Sequence, residues 1–333
     1  MSDQSRPTDA GLLTVVVALT ANVLVAAAKT TAAVLTGSAS MVAESAHSWA
    51  DTGNELFLLA AERRGDRPAD ASHPRGHGRE TYVWSMFAAV GLLVAGGALS
   101  IWHGAGRLLA GPSHEQPHFT VNWIVLAAAF VFESVSFTQA ARQAHGRGRR
   151  FGMHPLRYVL RTSDATLRAV FLEDLAALGG LVIAAAGIGL HQATGRDAWD
   201  AIGAIGVGLL LGTVAIFLIV RNHDFLVGET IPQALWEETL DRLLDHREID
   251  RVTYLHIEYV GPMRFFVVAA VDLVGNEDEA SVAVRLRRLE SEIEALEPVA
   301  DAVLTLSTPE ERSLARPADT VARRGGRRSA AAG

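Results

Sequence analysis

The chain has 333 residues, 49% of them apolar, with a formal net charge of −7 and no cysteine. The absence of thiols excludes disulfides and thiolate ligands, so a bound metal would need imidazole, carboxylate, carbonyl or water oxygen. The net charge points to no particular partner, and nucleic acid is not among those expected.

From Leu12 to Val220 the sequence is a series of apolar runs with short polar interruptions. A bilayer core of ~30 Å needs ~20 mostly apolar residues per helix. Six runs reach that length, over about 12–35, 39–61, 82–109, 121–143, 165–190 and 200–220. The first run lacks a small-residue cleavage site and further spans follow it, so it reads as a span and not as a secretory signal.

The first run carries Lys29, the single lysine of the chain. The second contains Glu44, His47, Asp51, Asn54 and Glu55. Charge at the bilayer centre costs ~2.5–3.5 kcal/mol per residue on insertion scales, which makes such residues functional candidates. Spacings of three and four put Glu44, His47, Asp51 and Asn54 on one helical face. His47 and Asp51, one turn apart, offer a nitrogen and a carboxylate oxygen to one point, half of a tetrahedral zinc site. The bland alternative is a hydrogen-bonded polar stripe between helices.

The segment after the second run reads DRPADASHPRGHGRETY and sets Asp70, His73 and His77 at spacings of three and four. Two histidines and a carboxylate suit a second metal site, while the same residues also suit a solvated polar loop. The fourth run contains Glu133, and the fifth has Glu173 and Asp174 at its middle. Neighbouring helical residues lie ~100° apart, so one of the two is expected to ligate and the other to pair elsewhere or relay protons. Asp164 and Arg168, four apart, are expected to neutralise each other. In the sixth run Ala204, Gly208 and Gly212 form a small-residue stripe for helix packing.

Arginines set the orientation. Arg63, Arg64, Arg67, Arg75 and Arg79 follow the second run, and Arg142, Arg147, Arg149, Arg150, Arg157 and Arg161 follow the fourth. The alternate connections hold at most Arg107 or Arg196. The positive-inside rule therefore places both termini in the cytoplasm.

Beyond His223 the periodicity changes. Leu235, Leu240, Leu243 and Leu244 suit a short helix, 251–260 and 264–274 suit strands about Gly261-Pro262, Val282 to Leu296 suit a second helix, and Ala302–Leu306 a third strand. The order αββαβ predicts a compact α+β domain. The expected organisation is a cytoplasmic segment over 1–11, a six-helix membrane domain over 12–222, the α+β domain over 223–310 and a disordered basic tail over 311–333. His223, His246 and His256 read as surface histidines.

These features together resemble the cation diffusion facilitator family. TGSASMVAESAHSWADTGNEL is similar to its first turn and second helix, with His47-x-x-x-Asp51 as the metal pair. Asp70-x-x-His73-Pro-x-Gly-His77-Gly resembles a loop that binds a further zinc in some members. Asp174 matches the aspartate of the fifth-helix motif, but Val170 stands where the family has histidine. Glu173-Asp174 resembles a zinc-transporting branch that carries Glu-Asp there.

The resemblance implies a membrane all-α fold, a six-transmembrane-helix bundle with a cytoplasmic ferredoxin-like α+β domain. It further implies a homodimeric, multi-pass exporter of Zn2+ in exchange for protons, working by alternating access, in a bacterial plasma membrane. His47, Asp51, Asp174 and Glu173 would hold the metal between helices 2 and 5, and Asp70, His73 and His77 a second ion. With one imidazole among carboxylates the site also suits Mn2+, Fe2+ or Co2+. The alternatives are a non-transporting metal sensor or assembly protein of this fold, and a passive cation channel. An intramembrane metalloenzyme is not expected, since His-Glu-x-x-His and any paired nucleophile and base are lacking.

Overall fold

In the computed structural model, residues 9–110, 119–150 and 152–316 are described. The expected N-terminal segment lies outside them up to residue 8, and the expected tail lies outside them from residue 317. Two compact units emerge, Met1–Gly65 with Glu80–His223, and Asp66–Arg79 with Asp224–Gly333. The loop between the second and third helical stretches thus belongs to the second unit.

The first unit is helical: α1 (Asp9–Thr36), α2 (Ala39–Gly65), α3 (Glu80–Gly91), a π-helical segment (Leu92–Ala98), α4 (Leu99–Ala110), α5 (Phe119–Arg150), the short α6 (Pro155–Arg161), α7 (Ala165–Thr194) and α8 (Ala198–Val227). Among the described residues five stretches are long and apolar enough to cross a bilayer, the second running from α3 through α4. Helix α2 is the departure from six apolar runs. Its 27 residues span about 40 Å at 1.5 Å each, which is long enough. Its composition is too polar to qualify, because it carries Glu44, Asp51, Glu55, Glu62, Arg63 and Arg64. The structure shows how that is tolerated: Glu44, Ser45, His47, Ser48, Thr52 and Asn54 are buried, with α1, α3, α4 and α7 packed around them. Charge that would be costly against lipid faces protein instead.

Apolar clusters hold the bundle, one around Met41, Leu92, Leu181, Ile188 and Leu211, another around Leu58, Phe171, Leu172 and Leu218. Helix α8 meets the π-helical segment through the expected small residues. A Cβ on Gly208 would stand 2.8 Å from the Gly97 carbonyl oxygen, so the backbones touch directly. Asp200 of α8 fixes the start of α2. Its carboxylate accepts from Ser38 Oγ at 2.9 Å, Ala39 N at 2.5 Å and Ser40 N at 3.2 Å, while Arg107 donates to the Gly37 carbonyl. An acidic group there satisfies the exposed amides and the positive end of the helix.

The second unit has α9 (Gln233–Leu244), β1 (Ile249–Gly261), β2 (Arg264–Leu273), α10 (Glu279–Glu294) and β3 (Val299–Leu306), the αββαβ order of the ferredoxin-like reading. The sheet order is β1-β2-β3. Strands β1 and β2 are antiparallel, and β2 and β3 are parallel, with α10 as the crossover between them. Asp278 caps α10 by accepting from Ser281 N at 3.1 Å.

Candidate metal centre

Helices α1, α2, α5 and α7 line a cavity of about 90 Å3. Asp51 and Asn54 reach it from α2, Glu173 and Asp174 from α7, and Glu133 and Ser136 from α5. The turn-by-turn spacing of α2 brings His47 up behind Asp51, its Nδ1 3.3 Å from Asp51 Oδ1. His47 is wholly buried and backs the wall rather than forming it.

Glu173 and Asp174 both line this cavity, where one alone was expected to face the ion. Their ~100° offset turns them toward different neighbours across a broad space. Glu173 Oε2 accepts from Asn54 Nδ2 on α2, and Asp174 Oδ2 accepts from Ser136 Oγ on α5 at 2.8 Å. Among the described residues, His47 Nε2, Asn54 Oδ1 and Glu173 Oε1 are buried with no hydrogen-bond partner, and His47 Nδ1 and Asp51 Oδ1 have only their 3.3 Å contact with each other. Each such atom costs about 1–3 kcal/mol when left unmatched. Nitrogen and oxygen acceptors gathered in this way suit a hydrated divalent cation.

Three neighbours of the site were not legible as such in the sequence: Ser136 and Glu133 on α5, and Asn22 on α1, which donates to Glu55 Oε1 at 2.6 Å. Lys29 pairs with Glu44, Nζ to Oε2 2.9 Å, both wholly buried. Asp164 caps α7 and pairs with Arg147, and Arg168 donates to the Thr162 carbonyl at 2.7 Å and to Asn222 Oδ1 at 2.6 Å. Among the described residues these are the partners shown for Asp164 and Arg168, where mutual neutralisation was read from their spacing.

The second candidate lies in the loop of the second unit. Among the described residues, Asp70, His73 and His77 are the one group of three His, Asp or Glu side chains whose ligand atoms lie within 4.8 Å of one another. The His73 and His77 rings face each other with centroids 4.0 Å apart. Asp70 Oδ1 accepts from Ser72 N at 2.8 Å, Ser72 Oγ at 2.6 Å and His73 N at 2.8 Å, a self-contained turn. Its other oxygen meets His77 Nε2 at 2.9 Å. The Ser72 hydroxyl and then His77 hold the Asp70 carboxyl well below the usual carboxylate range. The loop is fastened to the hairpin of its own unit. Arg79 donates to Glu258 at 3.1 Å, Arg75 stacks 3.7 Å over the Phe266 ring, and a Cβ on Gly78 would lie 2.7 Å from the Val260 carbonyl.

Comparison with known proteins places these sites in context. Residues 15–227 match the family model described as the cation efflux transmembrane domain. The mitochondrial proton-coupled zinc antiporter SLC30A9 of Homo sapiens is 36% identical over 238 residues, covering 71% of this chain and 40% of that protein. Metal tolerance protein C4 of Arabidopsis thaliana is 34% identical over 235 residues, 71% of this chain and 51% of that protein. Magnetosome protein MamB of Magnetospira sp. (strain QH-2) is 25% identical over 276 residues, 80% of this chain and 85% of that protein. The matched stretch thus spans about half, or less, of the first two relatives. The match of most of the helical unit to the family model shows that the chain belongs to the cation efflux, or cation diffusion facilitator, family of metal transporters.

Proposed function

We propose that the protein exports Zn2+ from the cytoplasm in exchange for protons, by alternating access at the α2–α7 cavity. The reading is carried by buried acceptor oxygens of Asp51, Asn54 and Glu173 without a hydrogen-bond donor around one cavity, with the His47 imidazole directly behind Asp51. His47, Asp51 and one of the α7 carboxylates, Glu173 or Asp174, are ligands in this reading, the other α7 carboxylate pairing elsewhere or relaying protons. Ligands must shed protons to take a metal, so protons and Zn2+ compete for the same atoms. A neutral cytoplasm loads the metal, and protons from the other side displace it and return with the empty carrier. The name of the human relative, a proton-coupled zinc antiporter, supports zinc and proton coupling here. Mn2+, Fe2+ and Co2+ are the competing cargoes, because the donors are mostly oxygen.

The arginines after α2 and α5 support cytoplasmic termini, with the bacterial plasma membrane as the expected setting. We assign dimerisation to the ferredoxin-like unit; deleting 223–333 should weaken the dimer in detergent, and unchanged dimerisation would remove that role. Asp70, His73 and His77 form the second site in this reading, supported by their close approach. His77→Ala should lower the Zn2+ bound per chain in equilibrium dialysis by one; an unchanged ratio would count against it.

Proteoliposomes with an imposed pH gradient test the transport reading. Wild type should accumulate Zn2+ against its gradient, and His47→Ala and Asp51→Asn should not, while remaining folded by size-exclusion chromatography. Accumulation at the wild-type rate by either variant would refute the site. Flow only down the Zn2+ gradient would favour a passive channel, and no flow in wild type a sensor or assembly protein.

A further inference from the structure

Five carboxylates stand on the cavity wall: Asp51, Glu55, Glu133, Glu173 and Asp174. Three of them are held by fixed donors, Glu55 by Asn22, Glu173 by Asn54 and Asp174 by Ser136. Asp51 has its contact with His47. Glu133, half-buried on α5, accepts no hydrogen bond from the described residues; Lys29 is the cation within electrostatic range of it, and Asp51 and Asp174 lie within range as like charges. A carboxylate without a donor inside the membrane is costly, and a divalent cation in the cavity would offset that cost.

A tetrahedral ion needs four donors at about 2.0–2.2 Å. Helix α2 supplies His47 and Asp51. The α7 carboxylates point to different neighbours, so one of them faces any given point between α2 and α7. Val170, one turn before Asp174, lines the cavity with no donor atom. One place is left, on the side closed by α5. The buried, unpartnered oxygens of Asn54 and Glu173 line the same cavity, so the acidic cluster has an independent mark of a bound cation.

We propose that Glu133 is a metal ligand of the transport site, completing from α5 the coordination that Val170 leaves open on α7. This rests on the reading of the cavity as the transport site and names its fourth donor. A carboxylate at that place makes the site more oxygen-rich, and so admits Mn2+ more readily than an imidazole there would.

The test uses the full chain, with Zn2+ and Mn2+ as probes, by isothermal titration in detergent and by transport in proteoliposomes. Glu133→Gln should raise the Zn2+ concentration for half-saturation about tenfold or more in both assays. Adding Val170→His to Glu133→Gln should recover Zn2+ binding and raise the Zn2+ to Mn2+ preference above that of wild type. Wild-type constants for both ions in Glu133→Gln, with Asp51→Asn inactive, would overturn the assignment and leave the transport site standing. Wild-type behaviour of Asp51→Asn as well would remove both. Should Glu133→Gln fail to fold, Glu133→Asp carries the test: a changed Zn2+ to Mn2+ ratio supports the ligand role, and an unchanged ratio overturns it.

Discussion

Replacing Lys29 by methionine strands a carboxylate inside the helical unit. Lys29 Nζ donates to Glu44 Oε2 at 2.9 Å and both side chains are wholly buried. At an effective dielectric constant of about 20, unit charges 2.9 Å apart attract by about 6 kcal/mol, a gross figure before desolvation. Removing one partner of a buried pair typically costs about 3–5 kcal/mol, because the other charge stays behind. With 2–4 °C of melting temperature per kcal/mol for a unit of this size, the loss corresponds to about 6–20 °C. Thermal unfolding of the full-length protein in detergent, followed by tryptophan fluorescence, reads it directly. The double variant Lys29→Met/Glu44→Gln should melt above Lys29→Met, since Glu44 is no longer left as a lone buried charge. If the two single losses simply add, within about 0.5 kcal/mol, the pair is not coupled and the reasoning fails.

Gly180→Ala brings a Cβ within 2.8 Å of Glu44 Oε1 and should destabilise by about 1–3 kcal/mol, with Gly179→Ala as a milder control whose Cβ meets only Leu210 at 3.0 Å; equal melting temperatures would contradict the packing. Gly78→Ala should loosen the loop from the hairpin and weaken Zn2+ binding at Asp70, His73 and His77, read by titration in a His47→Ala background; unchanged affinity would show that the loop holds its shape alone. The Asp70 carboxyl titrates lower in the folded loop than in the unfolded chain, so the folded form binds fewer protons and its contribution is fully present above about pH 4. Hydrogen exchange over 66–79 should therefore show turn protection that holds as the pH falls from 7 to 5 and is lost only below about pH 4; loss of protection between pH 7 and 5 would refute that assignment.

Much of the architecture is legible in the chain because it is written in local patterns. Apolar length marks the spans, and the αββαβ order follows from a change of period after His223. Helix α2 is instructive: its polar face, Glu44, His47, Asp51 and Asn54, disqualifies it as an apolar span and at the same time marks it as the helix the others enclose. What spacing cannot supply is the rotation of one helix against another. Glu133 and Ser136 are isolated polar residues in an apolar run, and only packing shows that they face Asp51 and Asp174 across a cavity. The same applies to Asp200, which meets the start of α2 from 160 residues away in sequence, and to Lys29, whose partner on α2 no single-helix pattern identifies. The π-helical segment at Leu92–Ala98, where Gly97 lies against Gly208 and Gly212 of α8, likewise lies outside the reach of helix periodicity.

In the proposed function, α2 and α7 hold the transported ion between them. Anomalous difference density at the zinc absorption edge, from crystals of the full chain grown with Zn2+, tests it most directly. A peak is expected in the cavity, about 2.0–2.2 Å from an Asp51 oxygen and from a carboxylate of Glu173 or Asp174. A peak confined to Asp70, His73 and His77, with none among α2, α5 and α7, would contradict it.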